Sequence, residues 1–130
     1  MNRYVADTHA LFWHLTGSDK IGAAAGEAFA EAERGDAVVY LPAIVLAELY
    51  YMNRKLRSPL DFGDTFRQIA QTAHFCLVPL VPQDVADFVA LPTGLEMHDR
   101  MIAQAALRLG AVLLTRDVDL VQCQAIQTKW

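Results

Sequence analysis

Short apolar runs alternate along this chain with stretches in which apolar residues return every three or four positions, and that alternation predicts strands separated by helices. Residues 3–6 read as a short buried strand ending at Asp7, and 8–15 continue at helical period with Leu11, Phe12 and Leu15 on one face. An alanine-rich helix is expected over 19–34, capped by Ser18 or Asp19 and stopped by Gly35-Asp36. A second strand follows over 37–41, and Pro42 suits the first turn of a helix running to about Lys55. Pro59 interrupts before a helix over 60–73, then a strand over 75–80 and a short helix over 82–90. The last predicted elements are a helix over 99–109 with Gly110 just past its end, a strand over 111–115, and a final strand over 125–128.

Strands that alternate with helices imply an α/β fold, a mostly parallel sheet covered on both faces. Ligands of such sheets bind beyond the carboxyl ends of the strands. No internal repeat, low-complexity tract or Ser/Gly linker divides residues 1–130, so one domain is expected.

Four acids stand out against this pattern. Asp7 closes the first strand, Glu48 sits within Ile44-Val45-Leu46-Ala47-Glu48-Leu49-Tyr50-Tyr51, Asp99 precedes Met101-Ile102-Ala103, and Asp117 closes Ala111-Val112-Leu113-Leu114-Thr115-Arg116. A carboxylate at the edge of a core is costly unless it is paired, hydrogen-bonded or bound to a cation. Each has an ordinary explanation alone: a helix cap for Asp7, a salt bridge for Glu48, a favourable helix dipole for Asp99, a turn for Asp117. Together, with Asp7 and Asp117 at strand ends, they point to a hard-cation site, because Mg²⁺ and Mn²⁺ favour oxygen ligands.

Composition changes this picture little. The chain has 130 residues, 54% of them hydrophobic, and a mean hydropathy of +0.20, which suits a globular domain with a sizeable core. No apolar run approaches the roughly 20 residues of a membrane span, and the segment 1–7 reaches a charged residue, Asp7, too early for a signal peptide, so a cytoplasmic location is expected. Cys76 and Cys123 are read as buried, reduced thiols. The net charge of −4 speaks against a broad basic nucleic-acid face. With the four acids set aside, however, 11 acidic residues face 11 basic ones, so a phosphate substrate stays open. His9, His14 and His74 lack zinc-ligand spacing, and His98 is dispensable as a base where a metal ion activates water.

The motifs Asp7-Thr8-His9-Ala10-Leu11-Phe12-Trp13, the helix bearing Glu48-Leu49, His98-Asp99-Arg100-Met101-Ile102-Ala103 and Leu113-Leu114-Thr115-Arg116-Asp117 resemble, in order and nearly end to end, those of PIN-domain ribonucleases, and among them the VapC-type toxins of toxin–antitoxin pairs. The resemblance implies a PIN-like three-layer α/β/α sandwich and an endoribonuclease that uses one or two Mg²⁺ or Mn²⁺ ions. It also implies Asp7, Glu48, Asp99 and Asp117 as the acidic quartet, Thr115 as a supporting hydroxyl, an antitoxin partner, a homodimer, and tRNA or rRNA as substrate. Two departures stand beside it: no Ser or Thr precedes Glu48 in its turn, and Asp119 competes with Asp117 as fourth acid.

Thr8 is a minor candidate for support, and Arg100 either contacts RNA phosphate or holds a neighbouring carboxylate. Arg54, Lys55 and Arg57 are read first as cations at a helix C-terminus, and Trp13 as core or interface. Gly22 and Gly26 would permit close helix packing. Two other functions are weighed. A catalytically silent module with the same fold would bind a protein partner and no metal. A receiver-like phosphoacceptor domain is disfavoured, because it needs paired acids after the first strand and an acceptor Asp ending a mid-chain strand.

Overall fold

A computed structural model describes all residues, Met1–Trp130. Strands β1 (Asn2–Ala6), β2 (Ala37–Pro42), β3 (Phe75–Val78), β4 (Val112–Leu114) and β5 (Thr128–Lys129) form one sheet in the order β3-β2-β1-β4-β5. Every pairing is parallel. The expected mostly parallel sheet is therefore wholly parallel, and its central strand carries the apolar run that a sheet covered on both faces requires: Tyr4, Val5 and Ala6 are all buried.

Helices α1 (Thr8–Thr16) and α2 (Ala23–Glu33) connect β1 to β2, and α3 (Ala43–Lys55) and α4 (Phe62–Gln71) connect β2 to β3. Helix α5 (Pro82–Asp87), a 3₁₀ turn (Phe88–Ala90) and α6 (Met97–Leu109) lead back across the sheet to β4, and the short α7 (Val118–Val121) precedes β5. The chain thus runs outward from β1 in one direction and then returns to its other side. Right-handed crossovers put the two sets of helices on opposite faces, which makes the three-layer sandwich. Twenty-eight buried residues form the core between the layers.

Several boundaries move from their expected places for local reasons. Helix α2 starts at Ala23 behind an extended Gly22, not at Asp19; the Ser18 hydroxyl instead accepts from the Lys20 N–H in a tight turn. A Cβ at Gly22 would overlap the Trp130 backbone, whereas Gly26 faces open space, so only the first of the two glycines serves packing. Helix α6 begins two residues before Asp99, because the Glu96 carboxylate accepts from the N–H groups of His98 and Asp99 at 3.0 and 3.3 Å and caps it. The final strand shifts to Thr128–Lys129, where the Thr115 N–H reaches the Lys129 carbonyl. Of the two thiols expected to be buried, Cys123 is, but Cys76 is exposed on β3 at the sheet edge.

Candidate metal centre

β1 is the point at which the strand order reverses, and the crevice there opens beyond the carboxyl ends of β1 and β4. Asp7 follows β1 directly and Asp117 follows β4 by three residues. From the sides, α3 contributes Glu48 and α6 contributes Asp99. All four line one cavity of about 510 Å³, together with Thr8, Glu96 and Arg116. The acids named from the sequence thus converge from four separate elements.

Asp7 is buried, and its side chain accepts from the Ala10 N–H at 2.9 Å, capping α1. The capping explanation for Asp7 and a place in the site therefore hold together. Burial pushes its carboxyl upward, opposed by the Thr115 hydroxyl and the Ala10 amide, while Asp117 adds to the rise. Thr115 is fully buried, and its hydroxyl oxygen accepts from the Asp117 N–H at 3.0 Å. One hydroxyl on the β4 edge thus ties together the two acids that close the strands.

Thr8 donates its hydroxyl to Glu48 at 2.9 Å and so aims that carboxylate. On its other side, Glu48 has the His98 ring, with Nδ1 3.5 Å away. Asp99 accepts no hydrogen bond from the protein. Partial burial, then the charges of Asp117, Glu96, Glu48 and Asp119, push its carboxyl up to about 6. Asp117 takes the N–H groups of Asp119 and Leu120 at 3.0 and 3.2 Å, capping α7. Both Asp117 and Asp119 bring a carboxylate oxygen within 4.8 Å of one from Asp99, but only Asp117 lines the cavity.

These acids lack the counter-cations that structural acids find. Asp84, buried in α5, has the Arg108 Nε at 2.8 Å. Asp7, Asp99, Asp117 and Asp119 have no Lys or Arg within ion-pair distance. An all-oxygen set of carboxylates suits a divalent hard cation; Asp99, Asp117 and Asp119 bring ligand oxygens within 4.8 Å of one another, and Asp7 and Glu48 line the same cavity.

Arg100 does not hold a neighbouring carboxylate. Its guanidinium donates to the backbone carbonyls of Phe88, Leu91, Pro92 and Leu95, which clips the connection before α6 to that helix. Sequence reading assigned no role to Glu96 or Arg116. Glu96 lies ahead of the apolar face of α6, so periodicity alone does not mark it as the cap. Arg116 was visible only as part of a motif, since the two indole rings beside it, Trp13 and Trp130, lie near opposite ends of the sequence.

The fold is similar to that of several solved proteins. VapBC2 from Rickettsia felis, solved bound to a DNA fragment from its promoter, aligns with a TM-score of 0.69 and 16% identity, over 98% of this chain and 97% of that one. PAE2754 from Pyrobaculum aerophilum gives 0.62 and 16%, over 98% and 83%. VapBC-1 from nontypeable Haemophilus influenzae gives 0.58 and 18%, over 98% and 96%. No curated protein matches the chain by sequence. The model of the PIN domain family, however, matches residues 4–125, a span that holds all the acids of the cavity, and the chain belongs to that family.

Proposed function

We propose that the chain is a metal-dependent endoribonuclease, the VapC-type toxin of a toxin–antitoxin pair, which hydrolyses RNA phosphodiester bonds with Mg²⁺ or Mn²⁺ at the acidic cavity. The observation that carries this reading is the convergence of four carboxylates, none paired with a Lys or Arg, at the strand-order reversal of a parallel sheet. The family match supports a nuclease. The likeness to VapBC folds supports the toxin class and an antitoxin partner; a homodimer is expected from the family resemblance.

A divalent ion bound there would neutralise charge on the phosphoryl group and make water nucleophilic at neutral pH. The chain's own residues do the rest. Asp7 and Asp99 would be the ion's primary ligands. Thr8 donates to Glu48 and holds its carboxylate, which would orient the attacking water or complete the ligand set. Thr115 sets the spacing between Asp7 and Asp117. Asp117 or Asp119 would supply the fourth acid, as a ligand or as support for a second ion.

The test is cleavage of a pool of tRNA and rRNA by purified protein in Mg²⁺, Mn²⁺ and EDTA, beside Asp7→Asn and Asp99→Asn. Cutting that needs metal and is lost in both folded variants supports the reading. A protein that cuts nothing, and in calorimetry binds no divalent ion, is instead a silent binding module with the PIN fold.

A further inference from the structure

We propose that Arg116 is a substrate-binding residue of this site, and that its guanidinium, laid over the two tryptophans, receives a phosphate of single-stranded RNA and guides the chain into the acidic cavity. The inference rests on the nuclease reading above and assigns the group that admits the anion.

An acidic cavity that must take in a phosphodiester needs a cation the acids do not consume. Five carboxylates line this one, those of Asp7, Glu48, Glu96, Asp99 and Asp117, and Arg116 is its only permanently charged cation. Attraction should draw the guanidinium onto a carboxylate, yet Arg116 forms no ion pair and no side-chain hydrogen bond. It lies instead with its central carbon 4.5 Å from the Trp13 ring centre and 5.8 Å from that of Trp130. Arg100 and Arg108, by contrast, spend their donors on carbonyls and on Asp84.

The platform is built. Trp13 belongs to α1, the helix capped by Asp7, so platform and acid ride on one rigid element. Trp130 is held edge-on to it, with ring centres 5.6 Å apart. Its carbonyl accepts from the Ala24 N–H, and Gly22 leaves room for its backbone. Stacking uses the flat face of a guanidinium and leaves the in-plane N–H fork free, and that fork matches two oxygens of a phosphate. Arginine serves here where lysine would not.

The chain's only tryptophans are these two, so their emission reports on the site. The experiment titrates the protein, with Ca²⁺ present, against a short fluorescein-labelled oligouridylate, using anisotropy and tryptophan emission over rising salt. Wild-type protein is expected to bind saturably at low ionic strength with a change in emission. Arg116→Gln should weaken binding about tenfold or more and lower the salt slope by about 0.7, the share of one phosphate contact on a single strand. Arg116→Lys should recover only part of the loss, and all three proteins should melt alike. Wild-type protein that binds no RNA overturns the assignment. So does Arg116→Gln binding as wild type does, in which case the guanidinium only covers the indoles or faces a carboxylate of a protein partner. Failure here is separable from failure of the nuclease. Binding through Arg116 without cutting in Mg²⁺ or Mn²⁺ removes the enzyme and leaves this site. Cutting with kcat/KM unchanged in Arg116→Gln does the reverse.

Discussion

Asp99 is held at a cost, because it is partly buried, neighbouring carboxylates surround it, and no hydrogen bond from the protein reaches it. Its folded pKa, about 6, lies above the ordinary value of 3.8. The folded state therefore holds the proton more tightly, and metal-free stability should fall as pH rises from about 4 through about 6. Discounted for its partial exposure, the loss is about 1 kcal/mol. Asp99→Asn removes the charge without breaking a hydrogen bond, so in EDTA at neutral pH it should melt a few degrees above wild type while losing activity. Melting curves from pH 4 to 8 check this; a variant that melts lower at neutral pH would show the carboxylate to be structural. Thr115 behaves in the opposite way, since its hydroxyl serves both Asp7 and Asp117. Thr115→Val should cost about 1–3 kcal/mol and lower kcat/KM about tenfold or more, whereas Thr115→Ser should keep most of both.

Arg100 shows how an element's placement depends on one side chain. Four carbonyl oxygens of the connection before α6 converge on its guanidinium, and the same connection delivers Glu96, whose carboxylate caps the helix bearing Asp99. Arg100→Met should destabilise the protein by about 1.5–3 kcal/mol and weaken metal binding although it touches no ligand. Arg100→Lys should recover little, because an ammonium cannot address four acceptors in a fork. Thermal melts paired with calorimetry would reveal it, and unchanged metal affinity would mean that α6 keeps its place without the clip. Arg100 is also where sequence reading reached its limit. Strands, helices and the four acids follow from local periodicity and from charge set against apolar neighbours, which a sequence displays directly. The partners of Arg100 are main-chain carbonyls, which carry no sequence signature. The shifted starts of α2 and α6 have a similar origin. Gly22 yields to Trp130, and Glu96 caps a helix whose apolar face begins only later.

The strand order makes the site a meeting place for distant segments, so binding there should report on the fold as a whole. Asp7, Glu48, Asp99 and Asp117 come from four elements, and a divalent ion held among them would tie both layers of helices to the sheet. At ten times its dissociation constant such an ion would add about 1.4 kcal/mol of stability. The ion must displace the proton from Asp99, whose carboxyl is pushed up to about 6. Below that pH, apparent affinity should fall about tenfold per pH unit for the single proton displaced, and above about 7 it should level off. Calorimetric titration of Mn²⁺ between pH 5 and 8, in buffers of different ionisation enthalpy, measures both the slope and the proton released. Asp99→Asn should bind weakly with no such slope, while Glu96→Gln, which relieves charge beside Asp99 without removing a proposed ligand, should shift the bend to lower pH. Affinity that stays level across the whole range in the wild-type protein would remove Asp99 from the ligand set and leave Asp7 with Asp117 to hold the ion.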